Sequence, residues 1–355
     1  MKKILYISYV DWDWIKQRPH FIAEQLSYIY DVSVLYQRSR KRDNLQHNAR
    51  NGMNIHSLCP IPGATRFHLI EVVNNVFMHM LIVHYLCKYK PNIVVLTYPT
   101  QIAWVPKWYK GKIVYDCMDH HASIFGGKKR AHILRAEQRL CNHADLVLVS
   151  SERLNGILRE RYGCKNIITV RNGYNGEIAD TTELRPHTGE RYVFCYFGTI
   201  SSWFNFDYLI KSLEDFPQIE YWLMGPVEKG VTVPRHERVK YLGVIEHHDL
   251  FAATRLVDCF VMPFIINDLI LSVDPVKLYE YINFDRHILC VQYDEIQRFE
   301  KYVWFYTDYI SYKEQVAKIV SGEKKKYNEK ERIEMLLNSS WKSRVQQIAE
   351  SLEKL

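Results

Sequence analysis

The stretch that decides the fold is Asp274-Pro275-Val276-Lys277-Leu278-Tyr279-Glu280-Tyr281. An apolar run precedes it, residues 257–264 (V-D-C-F-V-M-P-F), and reads as a buried strand that stops at Pro263. A second apolar run, residues 288–291, follows after a short loop. Asp274 is a good helix N-cap and Pro275 suits the first helical position. A helix starting there aims its free N–H groups and positive dipole end forward, which favours phosphate. Lys277 and Glu280 are three apart and share one helix face. An ammonium there suits a diphosphate, and a carboxylate one turn deeper suits a pair of ribose hydroxyls.

The pattern P-x-K-x-x-E-Y, a short loop and an apolar strand resembles the donor-site helix of GT-B glycosyltransferases. The nearest resemblance is to the family 4-like (group 1) enzymes that build bacterial teichuronic acid, capsule and O-antigen. It implies an α/β fold of two Rossmann-like domains with a cleft between them, and a C-terminal helix crossing back to the first. Two further segments carry it. Gly198-Thr199-Ile200 resembles the family's G-T-[IL] turn, where glycine lets backbone and free N–H groups approach a diphosphate. Tyr241-Leu242-Gly243-Val244-Ile245 resembles the F-L-G-x-[VL] segment whose main chain holds the base. The implied donor site is Gly198, Thr199, Val244, Ile245, Ser272, Lys277, Leu278 and Glu280. The family usually carries two glutamates eight positions apart. Here Ser272 stands where the first would be, which leaves the stereochemical outcome open. The usual glycine after the helix is replaced within Asn283-Phe284-Asp285, and Asp can adopt the left-handed conformation required there.

The rest of the chain fits this frame. Its 355 residues suit two domains with full cores, and 25% charged with 47% hydrophobic residues is ordinary for a globular protein. Residues 1–175 hold 25 Lys+Arg against 12 Asp+Glu, or +13. Residues 176–355 hold 22 against 28, or −6, and the two sum to the net +7. The basic half is therefore expected to face an anionic partner. No two of the eight cysteines lie within twenty residues of each other, which excludes a sequence-local zinc or redox motif and suits a reduced, cytoplasmic protein. The start M-K-K-I-L-Y-I-S-Y-V reads as a first buried strand because no small-residue cleavage site follows. Polar residues interrupt the apolar segment 67–87, which is expected to form an amphipathic helix and not a membrane span.

Strands are expected at 4–10, 32–36, 93–97, 113–116 and 146–150, and helices at 19–27, 67–89 and 129–142. After a loop at 175–190, strands are expected at 192–197, 220–224, 239–241, 259–262 and 288–291, with helices at 206–214, 250–253 and 275–283. This alternation is the sequence form of parallel sheets covered on both faces. The domains are then 1–175, joined by a terminal helix at 335–355, for the acceptor, and 176–334 for the nucleotide sugar. The tail 313–355 reads as helical, and its N-S-S-W-K-S-R-V segment resembles the helix that crosses back.

Two loops in the first half follow strands and so lie where ligands bind in such folds. Residues 11–20, D-W-D-W-I-K-Q-R-P-H, offer Asp11, Trp14 and Arg18 for the acceptor and Asp13 as a reserve base. Asp11-Trp12-Asp13 also matches a D-x-D metal triplet, which sits on the wrong fold for that role. Residues 115–121, Y-D-C-M-D-H-H, offer Asp119 first and Asp116 second as the group that takes the acceptor proton, with His120 beside the acceptor. Arg38, Arg40, Lys41, Arg42, Arg50 and Arg66 could meet anionic lipid heads.

The expected activity is transfer of a sugar from a nucleotide diphosphate sugar, with UDP as the expected nucleotide, to a lipid-linked bacterial surface glycan at the inner face of the cytoplasmic membrane. No cofactor, metal or nucleic acid is expected. The rivals are a nucleotide-sugar epimerase of the same fold and a non-catalytic sugar-nucleotide or glycan-binding protein.

Overall fold

Strand runs such as Ile93–Leu96, Leu146–Val149 and Cys259–Met262 are buried at every position. Strands apolar on both sides need cover on both faces, which parallel sheets with crossover helices provide. The computed structural model describes residues 1–14, 16–39, 52–64, 67–174, 176–182, 184, 187 and 190–355. It divides into two compact units, residues 1–173 with 341–355, and residues 174–340.

In the first unit β1 (Lys3–Ser8), β2 (Asp31–Gln37), β3 (Asn54–Leu58), β4 (Ile93–Leu96), β5 (Lys112–Cys117), β6 (Leu146–Val149) and β7 (Ile167–Thr169) form one sheet. Its order is β3-β2-β1-β4-β5-β6-β7 and every pairing is parallel. The order reverses between β1 and β4, so the loops after these two strands flank the switch point where such sheets bind ligands. The helices are α1 (Arg18–Leu26), α2 (His68–Tyr89), α3 (Gly127–His143) and α4 (Glu152–Tyr162). Ile22 and Leu26 of α1 pack on one face with Tyr6 and Val95, while Met78, Ile82, Leu140 and Leu158 pack on the other with Leu5 and Leu96.

The second unit repeats the plan. Its strands are β8 (Tyr192–Phe197), β9 (Ile219–Met224), β10 (Val239–Gly243), β11 (Cys259–Met262), β12 (His287–Val291) and β13 (Trp304–Tyr306), in the order β10-β9-β8-β11-β12-β13. The switch point falls between β8 and β11. The helices are α5 (Phe206–Asp215), α6 (Leu250–Ala253), α7 (Val276–Asn283), α8 (Tyr309–Val320) and α9 (Glu329–Asn338). The last helix, α10 (Trp341–Leu352), belongs to the first unit, where Trp341 stacks on Phe21 of α1 with ring centroids 5.2 Å apart.

Several local expectations need correction. Asp274 is not the N-cap of α7; that position is Pro275, in extended conformation. Asp274 is buried and forms an ion pair with Arg298. The sequence reading also missed α4 and the short strands β3, β7 and β13. Asp285 does take the left-handed conformation, with φ +57°. The basic positions Arg40, Lys41, Arg42, Arg50 and Arg66 lie outside the described residues. By length and composition α2 could cross a membrane, but one of its faces is packed into the first unit's core through Met78, Ile82 and Leu86.

Candidate functional site

In the second unit, three glycines close the carboxyl ends of adjacent strands. Gly198 follows β8 with φ +132°, Gly225 follows β9 with φ +123°, and Gly243 ends β10 with φ +76°. Side chains rarely adopt these conformations. Gly225 N–H donates to Gly243 O at 2.6 Å, and Gly198 N–H donates to Met224 O at 2.9 Å. A Cβ on Gly225 would collide with the Gly198 carbonyl, and one on Gly198 would collide with the Lys277 side chain, 2.8 Å from Nζ. The bare backbone therefore lets Lys277 lie across the end of β8. Ile200 N–H also donates inward, to Pro226 O at 2.9 Å. The amides of Gly198 and Ile200 are thus not free for a phosphate, contrary to the expectation for this turn. The positive group at the switch point is Lys277.

α7 presents Lys277 by burying its other face: Leu278, Tyr279, Tyr281 and Ile282 are all in the core. Leu278, read as donor-binding, is wholly buried there. Among the described residues the Lys277 ammonium forms no ion pair; it lies 5.8 Å from the centre of the Tyr196 ring. Burial lowers its pKa, and the Glu280 charge opposes that shift. A desolvated cation that forms no ion pair among the described residues favours an anionic ligand. Glu280 Oε1 lies 2.8 Å from His247 Nε2, and this hydrogen bond raises the His247 pKa. His247 follows the base-segment positions Val244 and Ile245 in sequence, so the pair ties that loop to α7. Val244 is exposed and Ile245 half-buried. Thr199 is exposed, and its carbonyl accepts from Tyr196 Oη at 2.9 Å. Ser272 is buried and donates to Asp268 O at 3.1 Å.

In the first unit, Asp116 is fully buried at the end of β5. Its Oδ1 accepts from Arg18 Nε at 2.9 Å and pairs with Nη2 at 2.9 Å, while Oδ2 accepts from Tyr6 Oη at 2.9 Å. Arg18 also donates to Val170 O at 2.6 Å. These two candidates therefore brace the sheet end against each other. Asp119, further along the same loop, behaves differently. Burial pushes its pKa up to about 6, with Arg18 opposing and Asp116 adding to the shift. A carboxyl tuned toward neutrality is the kind of group that general acid–base chemistry uses. His120 is buried, with Arg161 Nη1 3.5 Å from its Nε2. Asp11 is buried and accepts from Ser39 N–H at 2.7 Å, Asp13 accepts from Tyr36 Oη at 2.8 Å, and Trp14 is half-buried. Among the described residues, no three His, Cys, Asp or Glu side chains gather as a metal site.

Sequence reasoning missed Gly225, His247 and Tyr6. Only the M-G-P turn after an apolar run could have pointed to Gly225.

No protein-family model matches this chain, and no curated protein matches it in sequence. Solved structures do match over the full length. Sucrose-phosphate synthase from Thermosynechococcus elongatus superposes with a TM-score of 0.74 at 13% identity, covering 100% of this chain and 99% of that one. The lipopolysaccharide outer core galactosyltransferase WaaB, in its apo form, gives 0.71 at 11% identity, covering 99% and 100%. HepE from Anabaena, in complex with UDP and glucose, gives 0.62 at 14% identity, covering 100% of both chains.

The fold is GT-B. Within this GT-B chain, Gly198, Lys277 and Glu280 gather at the switch point of one sheet, and Arg18, Asp116 and Asp119 at the carboxyl edge of the other.

Proposed function

We propose that this protein is a glycosyltransferase that moves a sugar from a UDP-linked donor to a lipid-linked surface glycan. The reaction needs no metal and takes place at the inner face of the cytoplasmic membrane. The observation that carries the reading is the ammonium of Lys277, unpaired among the described residues and laid across Gly198 at the switch point, with Glu280 one turn on. The likeness to HepE, solved with UDP and glucose, supports the donor class. The likeness to WaaB, a lipopolysaccharide galactosyltransferase, supports the acceptor class.

In this reading the acceptor hydroxyl attacks the anomeric carbon, the bond from that carbon to the diphosphate oxygen breaks, and the nucleoside diphosphate leaves. Lys277 stabilises the charge growing on the diphosphate by being in position beforehand. Glu280 turns from His247 to the ribose hydroxyls, and the main chain at Val244 and Ile245 holds the base. Asp119 takes the proton lost by the acceptor. Asp116 and Arg18 hold the loop that carries Asp119.

A thermal-shift screen across UDP, GDP, CMP and dTDP tests the donor, since a ligand that binds the folded state raises its stability by mass action. UDP is expected to give the largest shift. Calorimetry should then show that Lys277→Ala weakens UDP binding far more than uridine binding. Unchanged UDP affinity in Lys277→Ala would overturn the assignment.

A further inference from the structure

Two tyrosine rings stand together at the switch point of the first sheet. Tyr9 follows β1 and Tyr98 follows β4, the strands between which the order reverses. Their rings stack with centroids 4.1 Å apart and planes 13° from parallel. Tyr98 is buried, and Tyr9, the outer ring, is 44% exposed. Tyr98 packs with Ala122 and Ile133 in a small cluster. Tyr9 belongs to no hydrophobic core among the described residues, so core packing does not account for its position. The backbone that carries both rings is fixed by side chains. Tyr9 N–H donates to Thr97 Oγ1 at 2.8 Å, and the buried Gln101 accepts through Oε1 from the N–H groups of Thr97 and Tyr98 at 2.9 and 3.0 Å.

The next ring leads to the proposed base. His121 meets the Tyr98 ring edge-on, with centroids 4.8 Å apart, and its backbone N–H donates to Asp119 O at 2.8 Å. A ladder of three rings therefore runs from the loop after β1 to the loop after β5 that carries Asp119. The ladder holds no charge at pH 7. Burial, partly offset by a hydrogen bond to the Thr97 backbone, pushes the His121 pKa down to about 4. A tyrosine ring presents a negative π face to weakly positive C–H bonds and keeps a polar hydroxyl at its tip. A pyranose offers the matching surface, a face of C–H bonds within a rim of hydroxyls. An alkyl chain matches the face but not the polar edge, and an anion meets no cation in this ladder.

We propose that Tyr9, backed by Tyr98, is the floor of an acceptor subsite on which a neutral hexopyranose lies by its C–H face, with a hydroxyl turned toward the Asp119 loop. The subsite stands at the reversal of strand order, where doubly wound sheets take their ligands. This rests on the acceptor side of the reading above and names the kind of ring that side holds.

The test is saturation-transfer NMR on the full chain with UDP present, irradiating the aromatic protons, with methyl glucoside, methyl galactoside and methyl mannoside as probes and 1-hexanol as an alkyl competitor. At least one glycoside should receive saturation on its ring C–H protons, and hexanol should not displace it. Tyr9→Leu keeps an apolar side chain without the π face and should weaken that glycoside about two- to tenfold. Tyr9→Phe keeps the ring and should bind it like wild type, which separates loss of the face from any disturbance of the fold. The UDP thermal shift should be the same in both variants. A missing UDP shift beside intact glycoside binding would therefore remove the donor reading and leave the subsite standing. Saturation of none of the three glycosides overturns the proposal, as does equal binding in Tyr9→Leu. Displacement by hexanol would assign the rings to an apolar chain and overturn it as well.

Discussion

Gly198→Ala isolates the relation between the glycine turn and the lysine it exposes. A Cβ at this position would collide with Lys277 Cε and lie 2.8 Å from Nζ, so the ammonium must leave its place. The φ of +132° adds backbone strain of about 1–3 kcal/mol, which should appear as a lower Tm. The loss in binding has a different origin. A hydrogen bond to a charged group contributes about 1.5–3 kcal/mol, which converts to roughly a ten- to 150-fold rise in Kd for UDP. Uridine lacks the diphosphate and should bind Gly198→Ala nearly as it binds wild type. Calorimetry on Gly198→Ala, Lys277→Ala and the double variant completes a cycle. The glycine acts through the lysine, so the double variant should bind UDP about as weakly as Lys277→Ala alone, a strongly non-additive outcome. Additive losses, or an equal loss of uridine, would refute the reasoning.

Other expectations follow from the same geometry. Asp119 must be ionised to accept a proton and its pKa is raised to about 6, so kcat/KM should climb with pH through about 6. Asp119→Asn should lose that limb and fall roughly 10²-fold or more while keeping its nucleotide affinity. Because the folded pKa lies above the ordinary carboxyl value, ionised Asp119 costs stability; that cost grows as pH rises toward about 6 and persists above it, so Asp119→Asn should melt higher at neutral pH. In the proposed donor site His247 releases Glu280 to the ribose, and its pKa is raised by that carboxylate, so UDP affinity should weaken as pH falls and His247 becomes charged. His247→Ala should flatten the dependence; calorimetry showing a flat profile in wild type removes His247 from the site. Transfer should also continue in EDTA, and activity lost to the chelator and restored by Mn²⁺ would return Asp11 and Asp13 to consideration as ligands.

The alternation of strands and helices was legible because it is local. A strand such as Ile93–Leu96, buried on both faces, must be a continuous apolar run, and α7 shows its buried face in every three or four residues. The left-handed turn at Asp285 was legible for the same reason: a helix must end before the next strand begins, and Asp tolerates that backbone. β7 and β13 were illegible because three residues carry no period.

The site divides along the same line. Residues 274–281, by themselves, determined a helix bearing Lys277 and Glu280 on one face, because side chains three apart on a helix are neighbours whatever surrounds them. Only the tertiary structure decided what those groups meet. Gly198 reaches Lys277 because β8 lies beside β11, His247 reaches Glu280 across 33 residues, and Arg298 takes Asp274 from its expected role as a cap. Arg18 and Asp116 stand 98 residues apart and are joined at the carboxyl edge of the first sheet, where Asp116 became a brace and Asp119 the tunable acid. The physical reason is that pKa and partnership depend on burial and on neighbours contributed by distant strands. The order in which strands assemble into a sheet fixes those neighbours, and no local pattern records it.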